Sequence, residues 1–119
     1  MKFLPVYACA IVALVSCSTI QPGNDPVVVD AERTTQVAMT TFDSFLKYER
    51  SNDASLREVN PAIHKYANKV RDNGQQWLRT ARSMTQAYKY NRSSENKANL
   101  LTAIAVLQEA VNQINQFMK

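Results

Sequence analysis

Residues 98–118 read ANLLTAIAVLQEAVNQINQFM and carry the clearest helical pattern in the chain. Its large apolar residues recur at alternating spacings of four and three, at Leu100, Ile104, Leu107, Val111, Ile114 and Met118. Because an α-helix turns once in about 3.6 residues, this spacing places the apolar side chains along one side of a helix. Leu101 and Phe117 widen that side. We therefore expect an amphipathic helix that is capped by Ser93 or Ser94 and runs to the end of the chain.

Two segments upstream carry the same apolar pattern, and each begins with a polar cap followed by proline. The first starts at Asp25-Pro26 and is expected to end near Arg50, and the second runs from Asn60-Pro61 to about Asn91. The apolar side of the first helix consists of Val28, Ala31, Thr35, Ala38, Phe42 and Phe45. That of the second consists of Ile63, Ala67, Val70, Gly74, Trp77, Ala81, Met84 and Tyr88. Between them we expect a turn at 51–53 and a short helical turn or loop at 54–59.

Three helices of about 25 residues with short connections predict an all-α fold, an antiparallel up-down-up three-helix bundle over residues 25–119. An extended helical hairpin that dimerises is the alternative. Gly74 lies on the apolar side of its helix, where glycine costs about 1 kcal/mol of helix propensity relative to alanine. It either makes room for a bulky neighbour, such as Trp77 or a facing Phe42, or is a tolerated weak position.

The N-terminal segment has the layout of a secretory signal. Lys2 provides a positive charge, residues 3–15 form an apolar run, and the small residue Ser16 precedes Cys17. The apolar run is too short for a transmembrane helix, which needs about 20 apolar residues. We therefore expect residues 1–16 to be removed as a signal peptide.

The residues before the cysteine, Leu14-Val15-Ser16-Cys17, resemble the lipobox of bacterial lipoprotein precursors. The resemblance implies that the thiol of Cys17 carries lipid, that residues 17–24 form an anchor and tether, and that no other membrane-binding segment is needed. Ser18 follows the cysteine in place of the aspartate that marks inner-membrane retention. The implied location is the outer membrane, facing the periplasm. An uncleaved signal anchor and a plain secreted protein are the alternatives.

The net charge of +4 is unevenly distributed along the chain. Residues 25–50 lean acidic, whereas residues 61–97 are strongly basic. A basic helix with aromatic residues would suggest nucleic acid in a cytoplasmic protein, but export removes that partner. We expect Lys65, Lys69, Arg79 and Arg82 to bind an anionic envelope component: lipid phosphate, peptidoglycan carboxylate or an acidic protein surface. A merely solvated basic face is the alternative.

Signs of catalysis are missing from the sequence. The only histidine, His64, has no cysteine or carboxylate at ligand spacing and is expected at the surface, so we predict no metal site. Gly23 and Gly74 are the only glycines, which excludes a glycine-rich phosphate loop. The acidic residues are expected among polar neighbours on helix faces, without the apolar pocket that raises a catalytic pKa. We expect neither enzymatic activity nor a cofactor.

The last helix is poor in charge, since Glu109 is the only charged residue between Ala98 and Met118. Such a surface is consistent with self-association or a docked partner, or it is simply neutral. The stretch NRSSENKANLLTAIAVLQEAV, at 91–111, resembles the body of small helical lipoproteins from bacterial genomes and prophages. The resemblance implies a non-enzymatic interaction or structural module. A phage-type lysis lipoprotein, similar to outer-membrane spanin subunits, or a superinfection-exclusion lipoprotein is the alternative.

Overall fold

The computed structural model describes residues 25–119, so the expected signal peptide, anchor and tether lie outside the described residues. The described part of the chain is all-α, as predicted. Its helices are α1 (Pro26–Ser51), α2 (Asp53–Val59), α3 (Pro61–Tyr90) and α4 (Ser94–Phe117). The prediction of three helices was incomplete, because the segment expected to be a helical turn or loop forms a separate helix, α2, that packs against α3.

Side-chain caps begin two of the long helices as predicted. Asp25 Oδ1 accepts a hydrogen bond from the Val27 N–H at 3.0 Å, and Ser93 Oγ accepts one from the Asn96 N–H at 3.0 Å. Asn60 precedes α3 as its N-cap residue and Pro61 begins the helix, as predicted, but the Asn60 side chain makes no capping hydrogen bond. Its backbone N–H instead donates to the Leu56 carbonyl and ends α2, so Asn60 joins two helices with no turn between them.

The three long helices pack against one another, and their side-chain pairs show their directions. The rings of Phe42 and Trp77 meet edge to face with centroids 6.1 Å apart, while Arg92 reaches back to Asp25, so α1 and α3 are antiparallel. Phe117 stacks on Phe45 at 6.4 Å, which places the ends of α1 and α4 together. None of the helices in residues 25–119 is long and apolar enough to cross a membrane.

Gly74 has a packing role. A Cβ atom at this position would lie 3.4 Å from Phe42 Cδ2 and 3.4 Å from Val70 Cγ1. The ring of Phe42 therefore rests directly against the backbone of α3, which confirms the prediction of a facing Phe42. Trp77 does not fill this space and is half-buried at the edge of the Phe42 ring.

The buried sides of α3 and α4 differ in part from the predicted ones. On α3, Leu78 and Thr85 are buried where Trp77 and Met84 were expected. On α4, Val111 is half-buried and Met118 is 45% exposed, while alanines 103 and 110 face the core. The reason is that 3.6 residues per turn drift against a strict four-three repeat, so the buried side rotates along each helix. A helix that packs against two neighbouring helices also buries more of its surface than a single line of residues spaced by four and three.

Candidate functional site

Cross-helix ion pairs account for part of the uneven charge distribution. Arg92 Nε lies 2.7 Å from Asp25 Oδ2, and Lys89 Nζ lies 3.4 Å from Glu32 Oε2. In both pairs the acid belongs to the start of α1 and the base to the end of α3 or the residues after it. The acidic first segment and the basic second segment are therefore complementary surfaces of one bundle.

Asp25 is the most tightly held of these acids. Its carboxylate is buried, accepts from Arg92 and Val27, and lies at the junction of the α1 start and the α3–α4 connection. Burial alone would raise the pKa of Asp25, but the hydrogen bonds from Arg92 and the Val27 N–H outweigh it and lower the pKa below its usual range. The side chain is therefore ionised at neutral pH.

The residues predicted to bind a partner, Lys65, Lys69, Arg79 and Arg82, are all exposed on α3, and we call them the basic stripe. Among residues 25–119, no carboxylate oxygen lies within 4.0 Å of any of the four cationic groups. Arg71, Lys89 and Arg92, by contrast, each have a carboxylate oxygen within this distance.

The basic stripe is extended rather than compact. Lys65 and Lys69 are one turn apart, Arg79 follows about 15 Å further along the helix, and the stripe is about 26 Å long. Arg82 turns toward α1, where its Nη2 atom lies 3.3 Å from Met39 Sδ. Lys69 Nζ lies 5.8 Å from the centroid of the Tyr66 ring. The structure thus brings Lys65 and Lys69 together but separates them from the two arginines.

A cleft of about 220 Å³ lies beside Lys69, between α3 and α4. Its wall includes Tyr66, Trp77 and Glu109, the only charged residue between Ala98 and Met118. Burial, with a smaller contribution from the charge of Glu109, raises the pKa of the Tyr66 hydroxyl. Tyr66 therefore stays neutral at physiological pH and presents an aromatic surface with one polar group.

A second charged site lies at the opposite end of the bundle from Asp25, where α1, α2 and α3 meet. Its centre is Glu49, which is only 1% exposed. Glu49 Oε2 lies 2.8 Å from His64 Nδ1, and the guanidinium of Arg71 donates to Glu49 Oε1. Both oxygens of this buried carboxylate therefore have partners.

Asp53 completes this site from α2, and we call Glu49, Asp53 and His64 the acid–histidine cluster. Asp53 Oδ1 lies 3.1 Å from the same His64 Nδ1 atom, while Arg57 Nε donates to Asp53 Oδ2 at 2.9 Å. The hydrogen bond from Arg57 holds the pKa of Asp53 below its usual range. The cluster offers one ligand-type atom from each residue, and these three atoms lie within 4.8 Å of one another.

This cluster was not predicted from the sequence, and two expectations about its residues were wrong. His64 does have carboxylates near it, and Glu49 is not among polar neighbours on an outer face. One signal was present: the spacing of four and three that runs through Phe42 and Phe45 continues to position 49. Asp53 and His64 lie on different helices from Glu49, so no spacing along the chain could place them together.

The outer face of α4 carries exposed apolar residues, and one of them, Leu101, was wrongly expected on the buried side of the helix. Leu101 is 50% exposed and Val106 is 39% exposed. The exposed residues beside them on α4 include Thr102, Ala105 and Glu109, with Lys97 one turn before Leu101. This face remains the predicted surface for self-association or a protein partner.

Comparison with protein-family models, with curated proteins and with solved structures finds no match for this chain. No function can therefore be carried over from a relative. Three features of the chain itself bear on function: Cys17 with the residues before it, the basic stripe, and the acid–histidine cluster.

Proposed function

We propose that this protein is a lipoprotein anchored through Cys17 to the outer membrane, facing the periplasm, after removal of residues 1–16. Its three long helices would form an up-down-up bundle that acts as a non-enzymatic interaction module. The basic stripe would bind an anionic component of the cell envelope. The lipobox-like stretch supports the anchor. The absence of acidic partners for the basic stripe among residues 25–119 supports the binding surface.

The observation that carries the binding proposal is the contrast between paired and unpaired bases. Arg71, Lys89 and Arg92 each have an acid of α1 as a partner, so their role in the bundle is accounted for. The four residues of the basic stripe have no such partner among residues 25–119. Their charges are therefore available to an external anion.

The spacing of the stripe favours a repeating anionic surface over a small anion. Exposed charges more than about 8 Å apart are largely screened at physiological salt. Lys65 and Lys69 are close enough to act on one anionic group, but Arg79 is about 15 Å away along the helix. Phosphates of a lipid surface and carboxylates of peptidoglycan repeat over such distances.

A lipid anchor at Cys17 would also keep the basic stripe near the membrane surface. The eight residues from Cys17 to Asn24 span at most about 29 Å when fully extended, so the bundle would stay close to the lipid surface. Asp25 lies beside Arg92, so the anchored end of α1 and the α3–α4 connection face the same way. Arg79 and Arg82 are nearer that end than Lys65 and Lys69.

Sedimentation with defined anionic surfaces tests the binding proposal. A soluble form that begins at Asn24 would be mixed with purified peptidoglycan, with phosphatidylglycerol vesicles and with phosphatidylcholine vesicles. The test variant changes Lys65, Lys69, Arg79 and Arg82 to Gln. The control changes the exposed bases Arg33, Lys47, Arg50 and Lys97 to Gln, which alters the net charge equally.

We expect wild type and control to bind at least one anionic surface in a salt-sensitive way and the stripe variant to lose that binding. Equal binding by the two variants would show that net charge alone acts and would overturn the assignment. Absence of binding to both anionic surfaces, with acidic proteins from the same envelope also failing to bind, would leave the stripe as a solvated face.

The phage-type alternative would act through a protein partner, and exposed Leu101 and Val106 on α4 offer a surface for it. Changing both to Gln would leave the basic stripe intact. Loss of self-association or of partner binding in that variant, with peptidoglycan and lipid binding unchanged, would favour the alternative.

A further inference from the structure

We propose that Glu49, Asp53 and His64 form a binding site for a single divalent transition-metal ion, with Zn²⁺ as the best fit. This site goes beyond the proposed function, because it lies at the far end of the bundle from Asp25 and shares no residue with the basic stripe. The ion would join the end of α1 to α2 and to the first turn of α3.

The donor atoms already converge on one point. Glu49 Oε2 and Asp53 Oδ1 lie 2.8 Å and 3.1 Å from His64 Nδ1. In a tetrahedral zinc site with metal–ligand distances near 2.0–2.2 Å, ligand atoms lie about 3.4 Å apart. The two histidine–carboxylate distances would therefore open by about 0.3–0.6 Å, and the Glu49–Asp53 oxygen separation, which is within 4.8 Å, would adjust to about the same value. The ion would take the position of the Nδ1 proton that both carboxylates now approach.

Each ligand is also held from outside, as metal ligands usually are. Arg71 occupies Glu49 Oε1, and Arg57 occupies Asp53 Oδ2, so each carboxylate has one oxygen fixed and one directed at the histidine. Asn68 Nδ2 lies 3.4 Å from His64 Nε2. With an ion on Nδ1 the ring proton lies on Nε2. Because the Asn68 oxygen already accepts from Arg71 Nη1 at 2.9 Å, the partly exposed ring would donate this proton to water.

The chemistry of the donors selects the class of ion. Imidazole favours Zn²⁺ and its neighbours, whereas Mg²⁺ and Ca²⁺ prefer sites made only of oxygen. Three protein ligands leave one position of a tetrahedron for water. Because the side chains of Asp53 and His64 are 36% and 21% exposed, an ion and its water can reach the site. The charges of Arg57 and Arg71 balance the two carboxylates, so we expect micromolar rather than nanomolar affinity.

Cobalt spectroscopy tests the proposal on the full chain, purified in detergent without a histidine tag. Since the chain has one histidine, any imidazole coordination must come from His64. Titration with Co²⁺ should give visible ligand-field bands that saturate at one equivalent, and Zn²⁺ should displace them. Zn²⁺ should also raise the melting temperature, because ligand that binds only the folded state stabilises it.

Three variants decide the assignment. His64→Ala and Asp53→Asn should each lower the Zn²⁺ affinity by about 100-fold or more, above the range seen when outer ligands are lost. Asp43→Asn is the control, because it removes an exposed carboxylate of α1 that pairs only with Lys47. Asp53 is partly exposed, so Asp53→Asn keeps the proposal testable if His64→Ala fails to fold.

Unchanged affinity in a folded His64→Ala or Asp53→Asn protein would overturn the site. So would the absence of cobalt bands in the folded wild type, or equal stabilisation by Mg²⁺ and Zn²⁺. Retained affinity in Asp43→Asn together with its loss in the other two variants would establish it.

Discussion

Glu49 and Arg71 form one ion pair, but loss of Arg71 should destabilise the fold more than loss of Glu49. Glu49 is 1% exposed, whereas the side chain of Arg71 is 30% exposed. Removal of one partner from a buried pair costs about 3–5 kcal/mol, because the other charge stays buried and uncompensated. Arg71→Met, which keeps the aliphatic stem, leaves Glu49 with His64 as its neighbour, so we expect a loss of about 3 kcal/mol, at the lower end of that range.

Glu49→Gln should cost less, about 1 kcal/mol, since Arg71 can reach water and the amide can still accept a hydrogen bond. Lys47→Met is the matched control, because Lys47 and Asp43 form an ion pair with side chains 71% and 64% exposed. Exposed pairs of this kind contribute about 0–1 kcal/mol.

Equilibrium unfolding in urea, with the slope compared between variants, measures all three free energies. The expected order of destabilisation is Arg71→Met, then Glu49→Gln, then Lys47→Met. A larger loss in Glu49→Gln than in Arg71→Met would refute the argument from unequal burial. Losses no larger than that of Lys47→Met would show that the cluster contributes little to stability.

Three further perturbations test the packing and the charges of the fold. Leu107→Ala, at a fully buried position, should lower the free energy of unfolding in urea by about 2–5 kcal/mol. Val111→Ala, at a half-buried position, should lower it by less. The reverse order would show that the core lies on the other side of α4. Gly74→Ala should change stability by less than about 1 kcal/mol, because the gain in helix propensity offsets a tight approach to Phe42, whereas Gly74→Leu should destabilise by about 1–3 kcal/mol. The pKa of Asp25 is lower in the folded than in the unfolded protein. Its contribution to the free energy of unfolding is therefore fully present above the unfolded pKa of about 3.9 and is lost as the pH falls through the lower folded value. Asp25→Asn should therefore flatten the acid limb of a pH–stability curve, and an unchanged limb would contradict this assignment.

The helix boundaries were largely predictable because caps and prolines are local signals. Asp25, Pro26 and Ser93 act within a few residues of their own positions, so the sequence alone indicated where α1 and α4 begin. Asn60 shows the limit of this reasoning. It is the N-cap residue of α3, as expected from residue type, but it also ends the preceding helix α2 and its side chain makes no capping hydrogen bond.

The buried sides were predictable only to within about one residue. A stripe of spacing four and three led us to Trp77 and Val111, whereas the structure buries the neighbouring Leu78 and Ala110. Which neighbour is buried depends on the rotation of the helix and on the partners it packs against, and neither is encoded in local spacing. For Gly74 the sequence left a packing role and a tolerated weak position both open, and the approach of Phe42 decides for the packing role.

The sequence predicted more of the basic stripe than of the acid–histidine cluster. The residues of the basic stripe were visible as charges on one segment, but their freedom from acidic partners depends on how α1 packs against α3. The acid–histidine cluster needed the tertiary structure altogether, since Glu49 and His64 are on different helices. Only the position of Glu49 on the apolar side of α1 was available beforehand.

The lipid anchor is the claim on which the location and the proposed role depend most. Mass spectrometry of the N-terminal peptide from membrane-purified protein tests it directly. We expect a peptide that begins at Cys17 and carries acyl chains. We also expect Cys17→Ala to abolish labelling by a clickable palmitate and to release the protein from the membrane. An unprocessed, unlabelled N-terminus in wild type, or a Cys17→Ala protein that stays membrane-bound, would contradict it.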